Sequence, residues 1–184
     1  TSVNRDDLPD GGAFVFAQCV RMIRERLPDC QVEVLIPDFD RQGVETVLTA
    51  EPEVLNHNIE TVRRVFHMVR PRGDYAYSLE LLRQAKELSP KTPTKSGMMV
   101  GLGETTDELL ETMTDLRAVR CDLLTIGQYL QPSSKHIAVA RFYTPEEFQK
   151  LRHEGLRMGF RHVAAGPLVR SSYHADEQRL AAIV

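Results

Sequence analysis

Helical stretches alternate with short β-branched runs along the whole chain, and nearly every run ends in polar residues. Strands that recur with a helix between them pair in parallel and need the helices to cover the sheet, so the fold class is α/β. Strands are expected over residues 1–3, 32–39, 54–56, 96–103, 122–130 and 162–169, each bounded by polar or Pro/Gly punctuation. A helix is expected over 13–27, a second on the stripe Ile59, Val62, Phe66 and Val69, and a third on Leu79, Leu82 and Leu88, ended by Ser89-Pro90. Two helix starts carry residues able to satisfy the orphan N–H groups of a first turn: Thr105 with Glu108, and Thr144 with Pro145 and Glu147. Right-handed crossovers curl such a sheet toward a barrel or a doubly wound sheet; in both, ligands collect at the C-terminal strand ends.

Composition narrows the function classes. With 184 residues, 42% hydrophobic and 27% charged, the chain is an ordinary globular domain long enough to bury a core. A net charge of -3 argues against a domain whose work is neutralising a nucleic-acid backbone. No apolar run reaches the roughly 20 residues that cross a bilayer, and the first residues form no signal peptide. The expected setting is the cytoplasm, or a mitochondrial matrix or plastid. Cys19, Cys30 and Cys121 are scattered, without C-x-x-C spacing, and read as free buried thiols.

Polar residues gather where the expected strands end. They are Asn4-Arg5-Asp6-Asp7, Pro37-Asp38, Asn56-His57-Asn58 with Glu60, Gly101-Leu102-Gly103-Glu104, and Gln128-Tyr129-Leu130-Gln131-Pro132. Taken singly, each has a plain structural account: Asn58 as a helix N-cap, His57 as a hydrogen-bonded structural histidine. A dinucleotide fingerprint is ruled out because Thr106 stands where the third glycine belongs. Walker A, G-x-S-x-G and H-E-x-x-H patterns are absent from the sequence. Residues 95–105 place two glycines and an acid beyond a hydrophobic strand, where backbone can approach a flat ligand closely. A nucleoside across the rim suits this segment, with Gln128 and the backbone around Leu130 bonding a base; a tight turn into a capped helix suits it too.

The segments TSVNRDDLPDGG, NHNIETV, TKSGMMVGLGET, LTIGQYLQPS and GPLVRSSYHA, in this order, resemble the signature segments of the lipoyl synthase family of radical S-adenosylmethionine enzymes. Arg63 departs from a position where the family often has proline. The resemblance implies a partial (β/α)6 TIM-like barrel whose first strand is missing here, with residues 1–141 as barrel and 142–184 as a C-terminal helix and RSSY extension. It implies S-adenosylmethionine and two 4Fe-4S clusters, one generating a radical at C6 and C8 of a protein-bound octanoyl group, the other donating sulfur. The expected partners are octanoylated lipoyl carrier domains, the H protein and the E2 subunits of 2-oxoacid dehydrogenases. Because strand C-terminal ends collect ligands in such an architecture, cofactor contacts are expected from Asn4, Asp6, Asn56, Asn58, Glu104, Gln128 and Leu130 and substrate contacts from His57 and Arg170, and the resemblance implies a cluster ligand in Ser172. An alkoxide is a harder ligand than a thiolate and releases its iron more readily, which suits a cluster that gives up sulfur. Capping of a helix near His174 is the plain alternative for both serines.

The family's cysteine triplets, one spaced C-x-x-x-C-x-x-C, do not occur, and Cys19, Cys30 and Cys121 match none of their positions. The expectation is that the sequence starts after the first barrel strand, that this chain alone does not carry the chemistry, and that its RSSY segment is held only by Arg170, Tyr173 and local packing. Two other readings stand beside the first: a cluster-free aldolase- or isomerase-type enzyme using Lys95, Glu104 and His57 as acid–base groups, and a non-catalytic module that binds lipoyl carrier domains.

Overall fold

The computed structural model describes residues 1–183; the last residue of the expected C-terminal extension, 184, lies outside them. The strands are β1 (Glu33–Leu35), β2 (Val54–Asn56), β3 (Thr94–Val100), β4 (Leu123–Gln128) and β5 (His162–Gly166). They form one parallel sheet in the order β1-β2-β3-β4-β5. The helices are α1 (Ala13–Arg26), α2 (Arg41–Leu48), α3 (Phe66–Val69), α4 (Tyr75–Leu88), α5 (Thr106–Ala118), α6 (Pro145–Arg157) and α7 (Ala175–Ile183). Strand order equal to chain order, with every pair parallel, means that successive right-handed crossovers lay their helices on one face. This is the singly wound arrangement of a partial barrel.

Alternation along each strand then divides the side chains between two environments. Val34, Leu55, Met98, Val100, Leu124, Ile126 and Val163 enter the helix-side cores with Phe66, Leu82, Leu109, Met113 and Phe148. Each such side chain contributes about 1.5–3 kcal/mol by leaving water. The other phase of the same strands carries Glu33, Asn56, Lys95, Gly97, Thr125, Gly127 and His162 toward the barrel interior. Val54 and Leu123 pack there as a small apolar floor of their own. A buried pair closes the opposite end of the sheet: Lys86 Nζ lies 2.6 Å from Asp122 Oδ2, which also accepts from Thr94 N at 2.9 Å.

Both capping boxes form as their residues predict. Glu108 N donates to Thr105 Oγ1 at 3.3 Å while Thr105 N donates to Glu108 Oε2 at 2.8 Å, and Thr144 with Glu147 repeats the exchange at the same two distances. Strand 54–56 stands where expected, and the others differ at their ends. The expected 32–39 shrinks to Glu33–Leu35, with Pro37 beyond it unable to donate to a ladder. The expected 96–103 begins earlier and stops at Val100, because Gly101 takes φ 100, outside strand geometry. The expected 122–130 and 162–169 become Leu123–Gln128 and His162–Gly166.

Two expectations fail outright. Residues 1–3 form no strand, since they gain no ladder partner beside β1. The helix expected on the 59–69 stripe is reduced to Phe66–Val69. Glu60 is drawn onto β3 instead: its N–H donates to Gly97 O at 3.0 Å, its carbonyl accepts from Met99 N at 2.8 Å, and its φ is 65. A residue in that left-handed conformation cannot propagate a helix.

Gly155 in α6 offers a test of the helix–sheet packing. A Cβ there would lie 2.8 Å from Val163 Cγ2 and 2.9 Å from Met113 Cε. Glycine to alanine on an open helix face stabilises by about 1 kcal/mol, but overpacking a stiff β-branched neighbour costs about 1–3 kcal/mol. Gly155→Ala is therefore expected to lower the urea midpoint at constant m; a raised midpoint contradicts this packing.

Candidate active site

The inner face of the sheet opens into a cavity of about 350 Å³ at the C-terminal strand ends. Asn58 and Glu60 wall it from the β2 side, Gly97 and Thr125 from β3 and β4, and Arg170 and Ser171 from the segment after β5. Glycines make the space. A Cβ at Gly97 would lie 2.8 Å from Asn58 Oδ1 and 2.9 Å from Thr125 Oγ1, and one at Gly127 would strike the Val169 carbonyl. Asn58 Oδ1 is buried without a hydrogen-bond partner, which is the position of an acceptor prepared for a donor it does not find in the protein.

A second cavity of about 310 Å³ shares Asn58 and Glu60 as a wall and reaches Asn4, His57 and Arg70. Glu60 thus faces both spaces. Burial holds its carboxyl above the usual carboxylate range, opposed by Arg70 and by a hydrogen bond with Asn58. His57 Nδ1 lies 3.1 Å from Ile36 O, and because a carbonyl only accepts, this nitrogen carries the hydrogen. Its Nε2 stands 3.5 Å from Asp38 Oδ1, and Asp38 Oδ2 accepts from Arg70 Nη2 at 2.6 Å. Burial pushes the His57 imidazole down, with the Ile36 bond and Asp38 opposing, so the neutral ring is favoured.

The residues singled out in the sequence divide accordingly. Asn58, Leu130 and Arg170 line the first cavity, and Asn4 and His57 line the second. Asn56 is buried deeper in the interior, its Nδ2 donating to Glu33 Oε1 at 3.1 Å. Asp6 is exposed and lines neither cavity. Glu104 and Gln128 correct the expectation of a polar rim open to ligand. Glu104 is buried and accepts from Gly101 N at 2.7 Å and Leu102 N at 2.8 Å, so it shapes the glycine turn. Gln128 Nε2 donates to the Tyr129 and Arg141 carbonyls, both at 3.1 Å, and its Oε1 accepts from Tyr143 N at 3.0 Å. Neither side chain lines either cavity, and both amide donors of Gln128 are taken by backbone carbonyls. In the sequence Glu60 stands out only as a neighbour of the N-H-N run; its left-handed backbone has no signature in composition or periodicity.

The RSSY segment is also better held than expected. Besides Tyr173 N donating to Arg170 O at 3.0 Å, the ammonium of Lys95 donates to the Ser171 carbonyl from inside the barrel. Ser172 is exposed. A larger recess, about 640 Å³, runs along β5 between Arg152, His162, His174 and Glu177. It follows the length of an edge strand, away from the convergent strand ends, and is a weaker candidate for that reason.

Among the described residues, no three His, Cys, Asp or Glu side chains are grouped to hold a metal ion. Cys19 and Cys30 are exposed, correcting the expectation of buried thiols, whereas Cys121 is buried and its thiol is pushed up to about 12, chiefly by burial. A disulfide reagent is expected to titrate Cys19 and Cys30 in the native chain and Cys121 only after denaturation. A third native thiol reacting at the same rate contradicts this placement.

Comparison with known proteins agrees with this architecture. Residues 1–116 match the Radical SAM superfamily. The chain is 59% identical over 180 residues to a lipoyl synthase of Rubrobacter xylanophilus, covering 97% of this chain and 56% of that protein. It is 59% identical over 185 residues to a lipoyl synthase of Symbiobacterium thermophilum, covering 100% of this chain and 58% of that one. A lipoyl synthase of Caldanaerobacter subterraneus is 57% identical over 178 residues, with 96% and 62% covered. The chain therefore spans about three-fifths of the length of these curated relatives. A crystal structure of methylornithine synthase superposes with a TM-score of 0.67 over 92% of this chain and 50% of that one, and at 15% identity it speaks for the fold alone. The chain belongs to the Radical SAM superfamily, in the company of the lipoyl synthases that it matches over nearly its whole length.

Proposed function

We propose that this chain forms the S-adenosylmethionine-binding and C-terminal part of a lipoyl synthase, which inserts two sulfur atoms at C6 and C8 of an octanoyl group on a carrier-domain lysine. The observation that carries this reading is the buried, unpartnered Asn58 Oδ1 on the wall of a cavity that Glu60, Gly97 and Thr125 also line. An orphaned buried acceptor beside a hydroxyl and a carboxyl fits a ribose, whose hydroxyls donate and accept. S-adenosylmethionine, given one electron by a reduced 4Fe-4S cluster, would supply hydrogen-atom abstraction at an unactivated carbon.

The chain's own residues then have separable tasks. Asn58 Oδ1 accepts from a sugar hydroxyl, and Glu60, whose carboxyl burial holds above the usual carboxylate range, binds a second one. Thr125 fixes the sugar face. Backbone around Leu130 borders the base, while Glu104 and Gln128 hold the turns that shape this wall. Arg170 presents a guanidinium to the same cavity, suited to a carboxylate or a carbonyl of the substrate. His57, held by its Nδ1–H bond to the Ile36 carbonyl, borders the neighbouring cavity, where Arg70 pairs with Asp38. Asn4 borders that cavity as well, whereas Asp6 and Asn56 are assigned to the cofactor by resemblance alone.

The residues present do not fit an iron–sulfur cluster, since the exposed Cys19 and Cys30 and the buried Cys121 form no ligand set. Ser172 is the one side chain assigned toward a metal, and by resemblance alone. Lipoyl carrier domains are the proposed partners. The acid–base reading is disfavoured because Lys95 is fully buried and paired, and neither it nor Glu104 lines the cavity that His57 reaches.

Calorimetry with S-adenosylhomocysteine, which carries the same nucleoside without the sulfonium, tests the reading on this chain. Saturable binding is expected, weakened about tenfold or more by Asn58→Ala, which removes a buried hydrogen bond. Gly97→Val, which adds a side chain to the cavity wall, is expected to abolish it. Absence of binding by the unaltered chain, or binding indifferent to both substitutions, contradicts the assignment.

A further inference from the structure

The most deeply buried cation in the barrel interior is used by none of the roles above. Lys95 stands near the start of β3, in register with Asn56 on β2 and Leu123 on β4. Its side chain is 0% exposed, and its Nζ lies 3.0 and 3.1 Å from the two carboxylate oxygens of Glu33. Glu33 is steadied in turn by Asn56 Nδ2. An ammonium removed from water in this way needs its donors engaged, and Glu33 leaves capacity for another acceptor. That acceptor is the Ser171 carbonyl, 76 residues further along the chain.

We propose that Lys95 is a positioning residue for the RSSY segment: anchored by Glu33 inside the barrel, it pins the Ser171 carbonyl and so sets where Ser172 presents its hydroxyl at the mouth. Chain geometry makes the coupling direct, because fixing one carbonyl orients the peptide plane that leads into Ser172. The fit is close on the other side too. At Gly127 a Cβ would strike the Val169 carbonyl and come within 3.2 Å of Arg170 Nη1, so the chain leaving β5 packs onto bare backbone before reaching Lys95. A charge-assisted bond is stronger than a neutral one, and one made in a dry interior is not screened by salt. The segment is thereby held before any ligand arrives. The tether stands on this geometry; only its consequence for Ser172 rests on the function proposed above.

The experiment separates tethering from fold stability. Lys95→Met alone leaves Glu33 without its counter-charge, so the informative variant is Lys95→Met with Glu33→Gln, which removes both charges together. Hydrogen exchange of this double variant is expected to be about tenfold faster or more over residues 171–174, through loss of a charged hydrogen bond. The β3 and β4 amides should stay as slow as in the parent, and the denaturation midpoint should lie close to it. Glu33→Gln alone keeps the ammonium and the carbonyl bond and is expected to preserve protection of the segment. Unchanged exchange over 171–174 in the double variant overturns the proposal. Should that variant not fold, acylation of the parent decides: Lys95 is expected to stay unmodified while the exposed Lys91, Lys135 and Lys150 react. Lys95 reacting at their rate overturns the tether. Neither readout involves a metal, so failure of the Ser172 assignment would leave both results standing.

Discussion

The parallel ladder between β3 and β4 sets the phase on which the interior depends. Its register pairs Lys95 with Leu123, Gly97 with Thr125 and Met99 with Gly127. All six residues belong to the inward phase, while Met98, Val100, Leu124 and Ile126 are sealed into the helix-side core. A slip of one residue would exchange the two sets, burying Lys95 among apolar helix contacts and turning Met98 and Ile126 into the barrel. The apolar burial that fixes the fold therefore also fixes the wall of the cavity at Gly97 and Thr125, the cation below it and the bare backbone of Gly127 on which the C-terminal segment lies. Site and stability share one register here.

How far the sequence discloses this varies with the kind of signal. Thr105/Glu108 and Thr144/Glu147 are local reciprocal bonds within four residues, and the chain states them outright. The α/β class follows from alternation, and the five segment matches give the family. The 59–69 stripe misleads because its apolar spacing is real, but Ile59 and Val62 bury themselves without forming a helix once Glu60 has joined β3. Gln128 and Glu104 mislead for a related reason. Their positions at strand ends are right, yet both side chains are consumed by backbone groups that only the folded turn brings within reach. The contact of Lys95 with Ser171 spans 76 residues and joins a charge to a carbonyl, which leaves no trace in any window of sequence.

The interior thus combines two layers with different physics. The lower one, Glu33, Asn56 and Lys95, is a paired network in which Lys95 and Asn56 Nδ2 both donate to Glu33, and only Asn56 Oδ1 stays without a partner, so its charges serve to hold backbone. The upper one, Asn58, Glu60 and Thr125 around Gly97, carries an unpaired acceptor and a carboxyl kept above its usual range by burial. Unspent hydrogen-bonding capacity in a glycine-lined space is what a nucleoside ligand completes. With the anchor below, the RSSY segment is fixed at the edge of the upper cavity, which Arg170 and Ser171 help to line.

The nucleoside is proposed to bind in the upper layer, at the C-terminal strand ends. Amide chemical-shift mapping of the isotope-labelled chain titrated with S-adenosylhomocysteine tests this most directly. The expected result is saturable shifts at Asn58, Glu60, Gly97, Thr125, Gly127 and Leu130, with the edge of β5 around Arg152 and His162 unmoved. Shifts concentrated along the β5 recess, with Asn58 and Gly97 unchanged, would contradict it.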